Sequence, residues 1–184
     1  LVGTAEKGYV SLKLRAEGAG GHSSAPPARM AVYGLARALA LLVESPFPAR
    51  LDGVRGMFRA IGPAASFTLQ LAFANLWLFG GLARKQLSRT PSGAATMRTT
   101  IAPTMLKSGI KENVLPTSAE AVVNFRILPG DTIASVCEHV RRAVNDPDIQ
   151  LEALEGASEP SPVSPDDHPV FYKLARTVRE VFPG

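Results

Sequence analysis

Residues 118–132 read SAEAVVNFRILPGDT, and this stretch is the most informative about the fold. Apolar and polar residues alternate from 118 to 128, which is typical of a strand with one buried face. That apolar face consists of Ala119, Ala121, Val123, Phe125 and Ile127. Pro129-Gly130 ends the strand, and Asp131-Thr132 is a favourable start for a helix over about 132–145. The stretch therefore predicts a strand that is followed directly by a helix.

The same kind of pattern continues on both sides of this stretch. Alternating residues predict strands over 8–16 and 96–106, and helical spacing predicts a helix from Ala28 to Glu44. A last strand begins at Ile149. The order strand, helix, strand, strand, helix, strand predicts an α+β fold. We expect a ferredoxin-like, split βαβ domain with a four-stranded antiparallel sheet, and with the helices on one face.

A segment over about 50–90 interrupts this order and predicts a helical insertion. Residues 60–83 contain no charged side chain, and the helical pattern is strongest over 66–79. A helix that is apolar nearly all round is usually buried against other protein, so a place in the core or an interface is favoured. The lip of an apolar substrate cleft is the second interpretation, and contact with a membrane is the least favoured.

The composition limits the chemistry that the chain can perform alone. It has 184 residues, one cysteine (Cys137) and three histidines (His22, His139 and His168). One cysteine excludes a disulfide framework and a thiolate zinc cluster. No HExxH, HxD or adjacent Glu-Glu occurs, which argues against a self-contained metalloenzyme.

The charge is unevenly distributed along the chain. Residues 1–111 hold 14 basic and 4 acidic side chains, whereas residues 112–184 hold 6 basic and 12 acidic ones. A basic half is compatible with nucleic acid, an anionic membrane or an anionic substrate, but scattered basic residues favour a solvated surface. The two predicted middle strands carry a single aromatic residue, Phe125, on the apolar face. Base stacking of the type used by RNA-binding ferredoxin-like domains is thus disfavoured, and we expect no nucleic-acid partner.

Three residues are candidates for a functional site. Gly20-Gly21 allows a tight turn before His22, which we expect at a strand-to-helix junction, near helix N–H groups that favour anions. Asn113 lies in a predicted loop over 110–116, and Arg126 lies on the polar face of its strand. Taken singly, they are equally compatible with a loop histidine, a turn residue and a surface arginine.

Taken together, three motifs resemble a known family. They are Gly-Gly-His-Ser-Ser-x-Pro-Pro at 20–27, Lys-Glu-Asn-Val-Leu-Pro at 111–116, and Asn-Phe-Arg-Ile-Leu-Pro-Gly-Asp at 124–131. In this order they resemble the lid or dimerisation domain of the zinc peptidase family twenty. That family includes aminoacylase, carboxypeptidase G, acetylornithine deacetylase and succinyl-diaminopimelate desuccinylase. The resemblance covers essentially the whole chain and is nearest to the branch of carboxypeptidase S and N-fatty-acyl-amino-acid hydrolase.

The resemblance implies roles for the three candidate residues. In such enzymes a separate catalytic domain holds two zinc ions and cleaves the amide bond of an N-acyl amino acid or peptide. Two lid domains pair to form a homodimer. His22 would be a catalytic residue that reaches the neighbouring subunit's site and stabilises the oxyanion. Asn113 would help to hold the substrate across the interface, and Arg126 would bind its terminal carboxylate.

The resemblance also implies a division of the chain. Residues 1–7 would lead in from a catalytic domain, 8–155 would form the lid, and 156–184 would be a linker and the first helix of the return. The metal-ligand motifs are expected outside the chain. We therefore expect an enzyme in the parent protein, and no zinc binding or hydrolysis by this chain alone. Two alternatives remain, namely a free-standing ferredoxin-like module that binds a ligand or nucleic acid, and a purely structural dimerisation domain.

Overall fold

The computed structural model describes residues 3–54, 56–58, 70–71 and 75–182. The helices and strands alternate in the predicted manner around one sheet. In chain order they are β1 (Gly8–Glu17), β2 (Gly21–His22), α1 (Ala31–Glu44), a 3-10 helix (Asp52–Val54), α2 (Leu76–Leu87), α3 (Pro91–Met97), β3 (Thr100–Ser108), β4 (Val114–Leu115), β5 (Ser118–Ile127), α4 (Ile133–Val144), β6 (Ile149–Ala153) and α5 (Pro169–Val181).

The main sheet has the strand order β3-β5-β1-β6, and all neighbouring strands are antiparallel. The central strands β1 and β5 pair along their full length, from Gly8 opposite Ile127 to Glu17 opposite Ser118. Helices α1 and α4 pack together on one face of this sheet. The ferredoxin-like α+β fold with helices on one face is therefore confirmed.

The core lies between this face and the two helices. Alternate residues of β1 and β5 are fully or almost fully buried there, and α1 and α4 supply the opposing side chains. The largest of the fully buried side chains are Phe125, Leu12, Leu14, Leu35 and Leu42. Burial of one such side chain contributes about 1.5–3 kcal/mol to folding. The intervening residues of β1 and β5 face the opposite side and form the outer face of the sheet, which includes Ser11, Lys13, Arg15, Asn124 and Arg126.

Local signals fix the ends of α4. The Thr132 hydroxyl accepts a hydrogen bond from Ser135 N (3.1 Å), and the Ser135 hydroxyl accepts one from Thr132 N (2.9 Å), which forms a capping box. Asn145 ends the helix in the left-handed conformation, with φ 46°. The predicted helix over about 132–145 is thus confirmed.

Two predicted boundaries are wrong. Helix α1 begins at Ala31 rather than at Ala28, because Met30 is extended. The strand predicted from 96 starts at Thr100, since α3 continues to Met97. The Thr90 hydroxyl accepts a hydrogen bond from Gly93 N (3.1 Å) and so caps α3.

The insertion has a small apolar core of its own, formed by Leu51, Val54, Phe58 and Met97. Of the helix predicted over 66–79, residues 66–69 and 72–74 lie outside the described residues. Helix α2 begins at Leu76 and continues past 79, to Leu87. Its Trp77, Leu78 and Leu82 side chains are 83%, 60% and 65% exposed, so they do not belong to the core. Over the described residues, no helix combines the length and the apolar character that a membrane span requires.

The segments that enter and leave the domain run side by side. Tyr9 and Ser158 exchange two backbone hydrogen bonds (both 2.8 Å), Ser161 N donates to Glu6 O (3.0 Å), and Ser164 N donates to Thr4 O (2.7 Å). A Cβ at Gly8 would lie 2.5 Å from Pro160 N, so this close approach requires glycine. Helix α5 follows the outgoing segment, and none of its described side chains is buried.

Candidate functional site

His22 lies in a short two-stranded sheet beyond the end of the β1–β5 pair. Gly21 pairs with Leu115, and His22 pairs with Val114. The prediction that 110–116 is entirely loop is therefore wrong at Val114–Leu115. Helix α1 begins only at Ala31, nine residues after His22, and its first residue lies beside Gly18.

The His22 ring is exposed and held from one side. Its Nδ1 accepts a hydrogen bond from Ser24 N (3.2 Å) and lies 2.8 Å from the Ser24 hydroxyl oxygen. Because Nδ1 accepts from a backbone N–H, the neutral ring carries its proton on Nε2. Among the described residues nothing bonds to Nε2, so this N–H is available as a donor.

Asn113 lies beside His22. Its backbone oxygen accepts a hydrogen bond from Ser23 N (3.1 Å), which ties the two chain segments together. Its side-chain Oδ1 is buried and has no hydrogen-bond partner within the described part of the chain. A buried oxygen without a partner costs about 1–3 kcal/mol, and a ligand N–H group would remove that cost.

Arg126 lies on the outer face, near the last residue of β5, opposite Tyr9 and Thr100. Its side chain is exposed, and its guanidinium carbon lies 4.9 Å from the centroid of the Tyr9 ring. The Tyr9 hydroxyl is 3.0 Å from the Ser11 hydroxyl, which accepts a hydrogen bond from the Asn124 amide (3.1 Å). Among the described residues no carboxylate pairs with Arg126.

The three predicted site residues fall into two places. His22 and Asn113 lie beyond the end of the sheet at which β1 finishes and β5 begins. At that end, Gly18 N donates a hydrogen bond to Thr117 O (3.0 Å). Arg126 lies at the other end of β5. Strands rise by about 3.3 Å per residue, so the segment from 118 to 126 spans roughly 26 Å. The structure therefore brings His22 and Asn113 together and keeps Arg126 apart from them.

Lys7 is a residue near Arg126 that the sequence analysis missed. Its half-buried ammonium group donates a hydrogen bond to Arg98 O (3.0 Å). Burial, together with the positive charge of Arg126, lowers the pKa of Lys7, and Asp131 partly opposes this effect. Lys7 and Tyr9 are two residues apart, which is the spacing of side chains on one face of a strand. The proximity of Lys7 to Arg126 depends on the register between β1 and β5.

The donor set of a metal site is not found in the described ranges. No group of three or more His, Cys, Asp or Glu side chains is placed there to hold a metal ion. A catalytic zinc ion takes three protein ligands of these types. The described residues therefore do not fit a catalytic zinc ion.

Comparison with known proteins gives consistent matches along the chain. Residues 4–152 match the family model of the peptidase dimerisation domain. The chain is 39% identical to the N-fatty-acyl-amino acid synthase/hydrolase PM20D1 of Xenopus tropicalis, over 100% of this chain and 36% of that protein. It is 37% identical to the probable carboxypeptidase S-like 2 of Dictyostelium discoideum, over 99% of this chain and 35% of that protein.

A solved structure shares the fold. The M20 family metallo-carboxypeptidase Sso-CP2 of Sulfolobus solfataricus superimposes with a TM-score of 0.61 at 18% identity, over 97% of this chain and 50% of that chain. The chain spans about a third of the length of the two curated relatives. The expected family is thereby confirmed at the level of both sequence and fold.

Proposed function

The chain belongs to the peptidase dimerisation domain family, and on this basis we propose that it is the lid and dimerisation domain of a zinc-dependent hydrolase. The bond cleaved is the amide bond of an N-acyl amino acid or a peptide. The names of the two curated relatives, a carboxypeptidase and an N-fatty-acyl-amino acid hydrolase, support this substrate class. The zinc ions would be held by residues outside the described part, and this chain alone would hydrolyse nothing.

Residues 1–7 and 156–184 would connect the lid to a catalytic domain. The paired backbone segments support this division, because Tyr9 and Ser158 bring the incoming and outgoing chain to one place. A domain whose two ends lie together is readily accommodated within another domain. The exposed apolar residues of α5 would then pack on the catalytic domain.

His22 would stabilise the negative charge that develops on the scissile carbonyl oxygen. Its exposed Nε2–H is directed away from the contacts that hold Nδ1, so the ring is oriented before the substrate binds. A pre-positioned donor of this kind stabilises the transition state more than the substrate. Asn113 beside it would accept a hydrogen bond from the substrate through its unpartnered Oδ1.

Arg126 would bind the carboxylate of the same substrate. A guanidinium group binds a carboxylate through two parallel hydrogen bonds, which fixes the direction of the ligand as well as its charge. The absence of a protein carboxylate partner among the described residues leaves both donors free for this purpose.

The separation of His22 from Arg126 is the observation that carries the proposal. The amide and the carboxylate of one amino acid lie within one residue length, about 3.6 Å. His22 lies beyond one end of β5 and Arg126 near the other, and residues 118–126 of this strand span roughly 26 Å. A small substrate can therefore meet both only if they come from different protomers, which requires a homodimer.

The edge strand β3 is the surface that best fits such a dimer. It is nine residues long, and Met105 and Leu106 are 66% and 70% exposed. The opposite edge, β6, has five residues and exposes the polar Gln150 and Glu152. A long, apolar edge pairs with another strand more readily than a short, polar one.

The insertion over about 50–90 suggests what kind of acyl group the substrate carries. The exposed apolar side chains of α2, Trp77, Leu78 and Leu82, would suit a long acyl chain at the lip of the cleft. Hydrolysis of short N-acetyl amino acids in preference to long-chain ones would contradict this assignment.

Mixed dimers of the full-length protein that carries this chain test the proposal. One subunit carries His22→Ala and the other Arg126→Ala, and two affinity tags isolate the heterodimer. We expect each parent homodimer to be inactive or severely impaired, with His22→Ala lowering kcat by about 10²–10³. The heterodimer recovers up to half of the wild-type activity, because one of its sites receives both intact residues.

The matched control pairs a wild-type subunit with one that carries both substitutions. Each site then lacks one residue, so we expect both sites to be impaired. An active control and an inactive heterodimer of the two single variants would show that both residues of a site come from one protomer. This result would contradict a site shared between protomers. Full activity of the His22→Ala homodimer would instead support the alternative of a purely structural dimerisation domain. An inactive wild-type protein would contradict the proposal that the full-length protein is a hydrolase.

A further inference from the structure

Lys7 and Arg126 are close enough for their charges to interact, and neither forms an ion pair with a carboxylate among the described residues. We propose that Lys7 is a second cation of the carboxylate site and that it selects, together with Arg126, substrates that carry a free carboxylate. This inference rests on the proposed function, since it names a further residue of the same site.

The position of Lys7 is fixed by the strand register. Gly8 lies opposite Ile127 and Tyr9 lies opposite Arg126. Lys7 directly precedes β1, and the alternation of the strand, continued by one residue, places it on the same face as Tyr9. Within the described part of the chain, the Lys7 ammonium group donates one hydrogen bond, to Arg98 O (3.0 Å). An ammonium group has three donors, so two of them remain for a ligand.

The nearby carboxylate is committed to other partners. Asp131 lies 3.1 Å from Arg50 and accepts a hydrogen bond from the Thr99 hydroxyl (2.5 Å). Arg50 also donates to Pro129 O (3.2 Å), and Thr99 Oγ1 accepts from Leu128 N (2.9 Å). This network fixes the turn after β5 and commits Asp131 to Arg50 and Thr99, so Asp131 offsets the lowering of the Lys7 pKa only in part.

The charged form of Lys7 is disfavoured as long as no anion is bound. Burial and the charge of Arg126 both disfavour the charged form of Lys7, which lowers its pKa. The charge of an anion bound between the two cations would offset both effects. An exposed guanidinium without a carboxylate partner among the described residues, next to a half-buried lysine whose pKa is lowered, is typical of a binding site for an anion.

The two cations would contribute differently to the binding of a carboxylate. Arg126 lies exposed at the Tyr9 ring and offers a planar fork, whereas Lys7 offers a compact charge from the partly buried side. Arg126 would fix the orientation of a carboxylate bound by both residues, and Lys7 would fix how far that carboxylate enters the site. A neutral carboxamide would gain little from Lys7.

The test is a comparison of Lys7→Gln, Lys7→Arg and wild-type full-length protein. Each is assayed with one N-acyl amino acid and with the corresponding C-terminal carboxamide. A hydrogen bond to a charged group is worth about 1.5–3 kcal/mol, so Lys7→Gln raises KM for the carboxylate substrate by about ten- to a hundredfold. We expect kcat to change less than about twofold, KM for the carboxamide to remain unchanged, and Lys7→Arg to restore part of the loss.

Lys13→Gln is the matched control. Lys13 is on the same face of β1, but it is paired with Glu152 (2.5 Å), so the N-acyl amino acid should bind as in wild type. Equal KM values for Lys7→Gln and wild type would overturn the inference while leaving the hydrolase intact. Should wild type hydrolyse neither substrate, calorimetric titration with the same N-acyl amino acid decides the matter, and equal affinities of wild type and Lys7→Gln would overturn the inference.

Discussion

The Arg126 guanidinium carbon lies 4.9 Å from the centroid of the Tyr9 ring, across the β1–β5 pair. The contact connects a cation to a ring whose own position is fixed. The Tyr9 hydroxyl is hydrogen-bonded to Ser11, and Ser11 is also bonded to Asn124. The outer face of the sheet thus holds the guanidinium in place through an aromatic ring, and no described residue bonds to its N–H groups.

This contact predicts that Tyr9 acts on Arg126 through its ring face. Replacement of Tyr9 by Leu removes a cation–π contact worth about 0.5–1 kcal/mol at an exposed site. We expect KM for an N-acyl amino acid to rise about two- to fivefold, with little change in kcat. Tyr9→Phe keeps the ring and should behave as wild type in the same steady-state assay. Equal effects of Leu and Phe would show that the hydroxyl network, and not the ring, positions Arg126.

The exposed edge of β3 predicts a dimer that one charge can dissociate. Leu106→Lys places a charge on an apolar edge, where close pairing with a second chain would bury it. We expect a dimer for wild type and a monomer for Leu106→Lys in sedimentation velocity. Gln150→Lys on the opposite edge is the control and should remain dimeric. Dissociation by Gln150→Lys alone would instead place the interface at β6.

The lowered pKa of Lys7 predicts a pH dependence of stability. Between that pKa and the ordinary value of 10.5, the unfolded chain binds more protons than the folded one. The free energy of unfolding therefore rises with pH in this window, relative to a variant without the group. We expect wild type to gain stability over Lys7→Met as the pH rises from neutral to about 10, measured by urea unfolding.

Lys13 provides a control of opposite sign. Its hydrogen bond and charge interaction with Glu152 raise its pKa above 10.5, so its contribution is complete below that pH and is lost only above it. Lys13→Met should therefore show no gain of wild type over the same alkaline range. A flat difference for Lys7→Met as well would mean that Lys7 is fully solvated.

The sequence predicts those parts of the fold that depend on local patterns. Strand β5 and helix α4 follow from strict alternation and from a cap at Thr132, and both agree with the structure within one residue. The start of β3 could not be predicted from its Thr-rich composition, because helix α3, which begins after the cap at Thr90, continues to Met97. Strand β2 has two residues, which is too short for any periodicity.

The candidate site shows the same division. His22, Asn113 and Arg126 can be selected from motifs, but their grouping into two places depends on the pairing of β1 with β5. Lys7 has no motif at all. Its approach to Arg126 depends on the register in which Gly8 pairs with Ile127 and Tyr9 with Arg126, since Lys7 directly precedes this strand.

The Tyr9–Ser158 backbone pair brings the two ends of the sheet domain to one place. Under the proposed insertion into a catalytic domain, excision at that pair, with a short turn to close the gap, would leave the flanking polypeptide at its original spacing. The domain could then be exchanged between host enzymes without adjusting the distance between the two junctions, and substrate preference encoded on α2 would travel with it.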